Sequence, residues 1–153
     1  MTKLVRSVRV LLSLSRAEWG WTARCLVLVP LVERSLHRRG FARTVESLAR
    51  RSSVPCRAPD VAVAQLMGRT VNRVASRRWI GALCLGRLLV LWYLLRKRGI
   101  DASVVIGAEA PSDGVLPAHA WVEVSGVPVN DAADVRDRFG SFGLELPPLQ
   151  SRS

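Results

Sequence analysis

The chain has 153 residues, with 23 Lys or Arg, 12 Asp or Glu and a formal net charge of +11 at pH 7. That length allows one domain with a single core and excludes two ordinary ones. The charge is regional: residues 1–100 carry 20 basic and four acidic groups, net +16, whereas residues 101–153 carry three basic and eight acidic, net −5.

A field of one sign concentrates the opposite charge, so the basic part suits nucleic acid, a lipid surface or an acidic peptide, without choosing among them. Arg abundance that merely reflects base composition is the alternative. Cys25, Cys56 and Cys84 are odd in number and lack zinc-site spacing or disulfide density, which fits a reducing, cytoplasmic setting. The early run V-R-V-L-L-S-L-S meets Arg16 and Glu18 without a small-residue cleavage site, so no secretory signal is expected. C-L-V-L-V-P-L-V is far short of the roughly 20 apolar residues of a membrane span, and Arg87 interrupts the run ending L-L-V-L-W-Y-L-L.

In chain order, apolar residues recur at helical spacing at Leu4, Val8, Leu11 and Leu12, and again at Trp19, Thr22, Leu26 and Val29. Ser15 is placed to cap the second of these helices. Pro30 is expected to kink or end it, and H-R-R-G at 37–40 supplies the charge and the glycine of a helix terminus. A shorter helical piece follows at 41–51, then the loop R-S-S-V-P-C-R-A-P. From Pro59, with Asp60 in the first turn, a helical pattern runs to about Arg77.

The most apolar helix spans about Leu83 to Arg98 and is apolar nearly all round, which marks it as central. Arg96, Lys97 and Arg98 suit its C-terminal dipole, and Gly99 is its left-handed stop. A-S-V-V-I-G-A then reads as a strand and A-P-S-D-G-V-L-P as a loop. A-H-A-W-V-E-V and V-P-V-N-D read as strands around a Ser125–Gly126 turn. The tail from F-G-S-F-G onward reads as loop with a frayed end. Helices followed by an antiparallel sheet define an α+β fold.

A cysteine in the first turn of a helix, as at Cys84, meets the partial positive charge of unpaired N–H groups, which favours the thiolate. Packing is the ordinary role of a cysteine flanked by leucines. His119 at a strand start, with Asn130 and Asp131 ending the return strand, supplies the base and orienter of a nucleophile–base–orienter set. With a two-residue Ser125–Gly126 loop, residue 120 pairs with 131 and His119 faces away from Asp131; a three-residue loop or a bulge pairs 121 with 131 and brings them together. That extra residue is therefore expected. Asp134 and Asp137 are the alternative orienters. No second His or Cys lies at ligand spacing from His119, so no metal is expected, and His37 in its Arg-rich helix end reads as solvated or capping.

The combination of A-L-C-L-G-R-L-L-V-L-W-Y-L-L-R-K-R-G-I, S-V-V-I-G-A and A-H-A-W-V-E-V-S-G-V-P-V-N-D resembles the lasso peptide biosynthesis proteases, transglutaminase-like leader peptidases, over about residues 80–131. The resemblance implies a papain-like, transglutaminase-like core, a Cys-bearing helix on a small antiparallel sheet, with Cys84, His119 and Asp131 as catalytic triad. It also implies one domain over 1–153: a helical part over 1–78, a catalytic core over 79–135 and a loop or tail over 136–153. The implied activity is removal of the leader from a ribosomally made precursor peptide before an ATP-using lasso cyclase closes the ring. No cofactor or metal is implied.

The helices before residue 80 show no separate recognition domain, so the split form with a separate leader-recognition protein is expected. Gln65, the only glutamine before Cys84, is the candidate second oxyanion donor by analogy, although a helix is a poor place for it. The rival readings are a basic binding module for nucleic acid or anionic lipid, an inactive scaffold, and acyl transfer to an amine. Interleaved aromatics and a reading helix are lacking, so nucleic acid is not expected as a partner. The apolar surface around Trp19, Trp21 and Val27–Val32 suits a docked partner; a core role, or shallow contact with a membrane face, is the alternative.

Overall fold

The structure is a computed structural model that describes residues 16–52, 54–75, 84–108 and 118–142. The expected helix around Leu4–Leu12, the Ser15 cap, the 110–117 loop and the tail beyond 142 lie outside these residues.

Helix α1 (Arg16–Arg51) is two helices joined at Gly40, where φ 76 and ψ 176 lie in a region open to glycine alone. The break expected at 37–40 is therefore present. Pro30, expected to kink or end the helix, sits inside it, and Gly40 has the only non-helical dihedrals of the element. Trp21, Cys25, Val29 and Val32 recur at spacings of three and four and are buried, so tertiary packing of this stripe outweighs the hydrogen bond that Pro30 removes. Thr44 Oγ1 donates back to Gly40 O at 2.8 Å and bonds Ser35 Oγ at 2.9 Å across the break.

Helix α2 (Val61–Ala75) starts after Asp60, whose Oδ1 accepts from Val63 N at 2.9 Å. Asp60 is thus the cap rather than a first-turn residue. Helix α3 (Cys84–Lys97) is the centre of the molecule, with Leu88, Leu89, Leu91, Trp92 and Leu95 all buried. Gly99 (φ 75) ends the run: Gly99 N donates to Arg96 O at 2.9 Å and Ile100 N to Leu95 O at 3.1 Å, a Schellman motif. Arg96 is buried, stacked over Trp92 at 4.6 Å and donating to Ser52 Oγ at 3.2 Å.

The sheet has the order β3-β2-β1-β4, all antiparallel, from β1 (Ser103–Ala108), β2 (Ala118–Val124), β3 (Val127–Pro128) and β4 (Gly140–Phe142). Alternation divides β2 between two cores. Val122 and Val124 join the main core with α3, whereas Trp121 packs with Val105, Val135 and Phe139 on the other face. The short helix α4 (Val135–Arg138) and β4 occupy a stretch that the sequence reads as loop. Three or four residues are too few to show a periodicity; β4 exists because the edge of β1 is there to pair it.

Gly40→Ala should destabilise the fold by about 1–3 kcal/mol, since alanine pays for the dihedrals of Gly40. Gly20→Ala, in an open helical position with nothing within 4 Å of an added Cβ, should be neutral or stabilising. Thermal unfolding of the two variants provides the comparison.

Candidate active site

The hairpin that carries His119 turns through Ser125 (φ 51) and Gly126 (φ 77), the pair of positive φ values of a type I′ turn. Val124 faces Val127, Glu123 faces Pro128, and Val129 N donates to Val122 O at 2.9 Å. This two-residue register is the one expected to turn His119 away from Asp131. The expected bulge is absent, and a different device replaces it.

After Pro128 the return strand leaves the ladder. Val122 N donates to the side-chain Oδ1 of Asn130 at 2.7 Å, while the Val129 carbonyl lies against α2. A Cβ on Gly68 would fall 2.0 Å from Val129 O and 3.1 Å from Asn130 Cα. One turn further along α2, Asn72 Nδ2 donates to Asn130 O at 2.7 Å. Bent in this way, the chain delivers Asp131 Oδ2 to His119 Nε2 at 2.6 Å, and Asp131 Oδ1 accepts from Ala132 N at 2.8 Å.

A carboxylate only accepts, so Nε2 of His119 carries the proton and Nδ1 is the basic nitrogen of the neutral ring. The side chains are 32% and 24% exposed, so water reaches the pair. The imidazole lies beside Phe139, with ring centroids 5.0 Å apart, and Trp121, 6.1 Å apart. Trp121 is held in turn: its Nε1 donates to Glu123 Oε1 at 2.7 Å, and Arg136 donates to both oxygens of this buried carboxylate. Burial alone would raise the Glu123 carboxyl, but the hydrogen bonds from Arg136 and Trp121, with the charge of Arg136, outweigh it and hold the pKa below the usual value.

His119, Asp131, Asn72 and Asn130 line a small cavity of about 90 Å³ together with Arg87 and Leu88 of α3. Position 84, the first of α3, lies three and four residues before them, hence on the same helical stripe one turn nearer the N-terminus. The other cysteines belong elsewhere: Cys25 is fully buried, its thiol pushed up to about 11, and Cys56 is exposed in the 54–60 loop. Asp134 and Asp137 are exposed, and it is Asp131 that bonds His119. Gln65 is not among the residues lining the cavity; the α2 carboxamide there is Asn72. His37 Nδ1 bonds Glu33 O at 3.1 Å on the exposed side of α1. Among the described residues no three His, Cys, Asp or Glu are grouped to hold a metal, and no helix is long and apolar enough to cross a membrane.

A Cys-led central helix packed on an antiparallel sheet, with a His–Asp pair at the sheet end, is a transglutaminase-like arrangement. The chain belongs to the transglutaminase-like superfamily, whose family model matches residues 25–142. It is also similar to the microcin J25-processing protein McjB of Escherichia coli, 40% identical over 55 residues, which are 36% of this chain and 25% of that protein. The match thus spans a quarter of the curated relative's length. No solved structure matches at a significant level.

Gly68, Asn72, Glu123 and Arg136 have no motif that would single them out. The one available signal was Gly68 within an otherwise regular helical pattern, which marks a close approach. Gly68→Ala should push the 129–131 segment off α2, costing roughly 1–3 kcal/mol. It should also remove the protected Nε2–H resonance of His119 from imidazole ¹H–¹⁵N spectra, as should Asp131→Ala; a resonance surviving in both would refute the pairing.

Glu123 makes the pH dependence testable. Its pKa is depressed on folding, so its contribution is full above the unfolded glutamate value of about 4.3 and is lost as pH falls through the lower folded value. Glu123→Gln should be less stable than wild type at neutral pH and should show a flatter loss in denaturant titrations below about pH 4.3.

Proposed function

We propose that this chain is a cysteine peptidase that cleaves the leader from a ribosomally made lasso-peptide precursor. The observation that carries the reading is the His119–Asp131 pair at 2.6 Å, lining one cavity with the α3 turn that Cys84 leads. Its family and its partial similarity to a microcin-processing protein support it.

In this reading Cys84 gives its proton to His119 Nδ1, and the thiolate attacks the scissile carbonyl carbon. Unpaired backbone N–H groups at the start of α3 face the developing oxyanion, and Arg87 adds positive charge that favours the thiolate. Collapse breaks the peptide bond, and the departing amine of the core takes the proton back from His119. Water, deprotonated by His119, then attacks the thioester carbon and releases the leader, restoring the thiol. Asp131 stays ionised throughout and holds the ring in the Nε2–H tautomer.

The exposure of the pair to solvent favours water over an amine as second acceptor. No resident cofactor enters these steps. A separate recognition protein would present the precursor, a lasso cyclase would take the product, and the cytoplasm is the setting in which all three meet.

Incubating the chain with precursor and recognition protein and measuring masses tests the reading: a product lighter by the leader is expected. Cys84→Ala and His119→Ala should both be inactive, because members of one catalytic unit fail together. Asp131→Asn should be impaired more mildly, whereas Cys25→Ala and Cys56→Ala should remain active. Activity in Cys84→Ala would reject the nucleophile, and full activity in Asp131→Asn would reject the orienter.

A further inference from the structure

The break at Gly40 folds the second half of α1 beside the first and leaves a groove between them. One part of it, about 340 Å³, runs over Leu28, Leu31, Leu48 and Tyr93. A second part, about 760 Å³, shares Leu28 and Tyr93 with the first and continues between the first half of α1 and α3, over Trp21, Val27 and Leu94. The floor is apolar and open: Val27 is 59% and Leu31 56% exposed, one helical turn apart. The walls are basic throughout. Arg34, Arg38, Arg39 and Arg51 line the first part, and Arg24, Lys97 and Arg98 the second, with no carboxylate among the described residues that line either.

We propose that this groove docks an acidic, amphipathic peptide segment of a partner protein, which sets apolar side chains on Val27, Leu31 and Tyr93 and carboxylates against the arginine walls. Seven cations facing one concavity repel each other unless an anionic occupant offsets them, and Arg is the side chain suited to carboxylates there. The chain's own first fifteen residues fit poorly on charge, since they carry Lys3, Arg6 and Arg9 and no acidic group. A bilayer cannot enter a cleft between two helical segments. Among the described residues bases find one ring on which to stack, Tyr93, because the Trp21 ring is already faced by the guanidinium groups of Arg24 at 5.0 Å and Arg98 at 4.6 Å.

The groove meets α3 at Tyr93, Leu94 and Lys97, about 14–20 Å along that helix from position 84, and shares no described lining residue with the His119 cavity. An occupant would therefore leave the His119 cavity open and could stay bound through turnover. The proposal concerns binding and does not depend on the peptidase reading.

The test measures fluorescence anisotropy with a labelled peptide that carries leucines on one helical face and glutamates on the other. Saturable binding is expected, weakened roughly tenfold or more by Arg38→Gln with Arg39→Gln and, independently, by Val27→Gln with Leu31→Gln, with circular dichroism confirming that each variant is folded. Counterparts with lysine for glutamate or serine for leucine should not bind. Absence of saturable binding, equal affinity for either counterpart, or insensitivity to both double variants would overturn the proposal. So would tighter, variant-sensitive binding to vesicles of equal phosphatidylcholine and phosphatidylglycerol, which would assign the face to lipid, or to a single-stranded oligonucleotide, which would assign it to nucleic acid.

Discussion

The site depends on one close approach, that of the Val129 carbonyl to the α2 backbone at Gly68. In a continued ladder that carbonyl would accept from Val122 N, and residue 131 would sit opposite residue 120 on the wrong face for His119. Here the Asn130 side chain takes over the Val122 donor and Asn72 supplies a new donor to Asn130 O. The Val122 N–H and the Asn130 carbonyl thus both have partners while the chain changes direction. The exchange works only where α2 presents no Cβ. A glycine on a helix thereby sets the position of a carboxylate on a hairpin far along the chain.

The face of β2 that carries His119 has its own support. Directly opposite His119 in β1 is Gly107, where a Cβ would lie 2.8 Å from Phe139 Cβ and 2.9 Å from the Trp121 ring. The missing side chain leaves room for the two aromatic rings beside the imidazole. Glu123 then fixes Trp121 through its indole and anchors Arg136 of α4. Glu123 is buried while the Arg136 side chain is 51% exposed, so this is a half-buried pair. Its effect here is geometric: it ties the segment that follows Asp131 to the strand that holds His119, so both partners of the 2.6 Å contact are anchored to the same sheet.

What the sequence could reveal follows from the range of the interactions involved. The central helix, its stop at Gly99, the break at Gly40 and the strand A-H-A-W-V-E-V were legible because each rests on local periodicity or on a residue with special dihedrals. Pro30 does not end the helix, because the burial of Val29 and Val32 on either side of it outweighs a local rule. The pairing of His119 with Asp131 was legible as chemistry, but its geometry was not. A bulge is a local device that a sequence reading can propose, whereas the actual bend is made by contacts with Gly68 and Asn72, some sixty residues earlier. Strand β4 and helix α4 escaped for the same reason, being too short to carry a pattern and existing by virtue of what they pair with.

The charge asymmetry acquires a spatial meaning along α3. Seven of the basic residues of the first hundred line the two parts of the groove, which meets α3 at Tyr93, Leu94 and Lys97. The His119–Asp131 pair lies beside Arg87 and Leu88, on the hairpin supplied by the acidic remainder. Helix α3, buried from Leu88 to Trp92, lies beside both, and the groove and the His119 cavity share no described lining residue. The described charged residues that line the proposed docking groove are all cationic, whereas the His119 cavity carries both signs, Asp131 and Arg87.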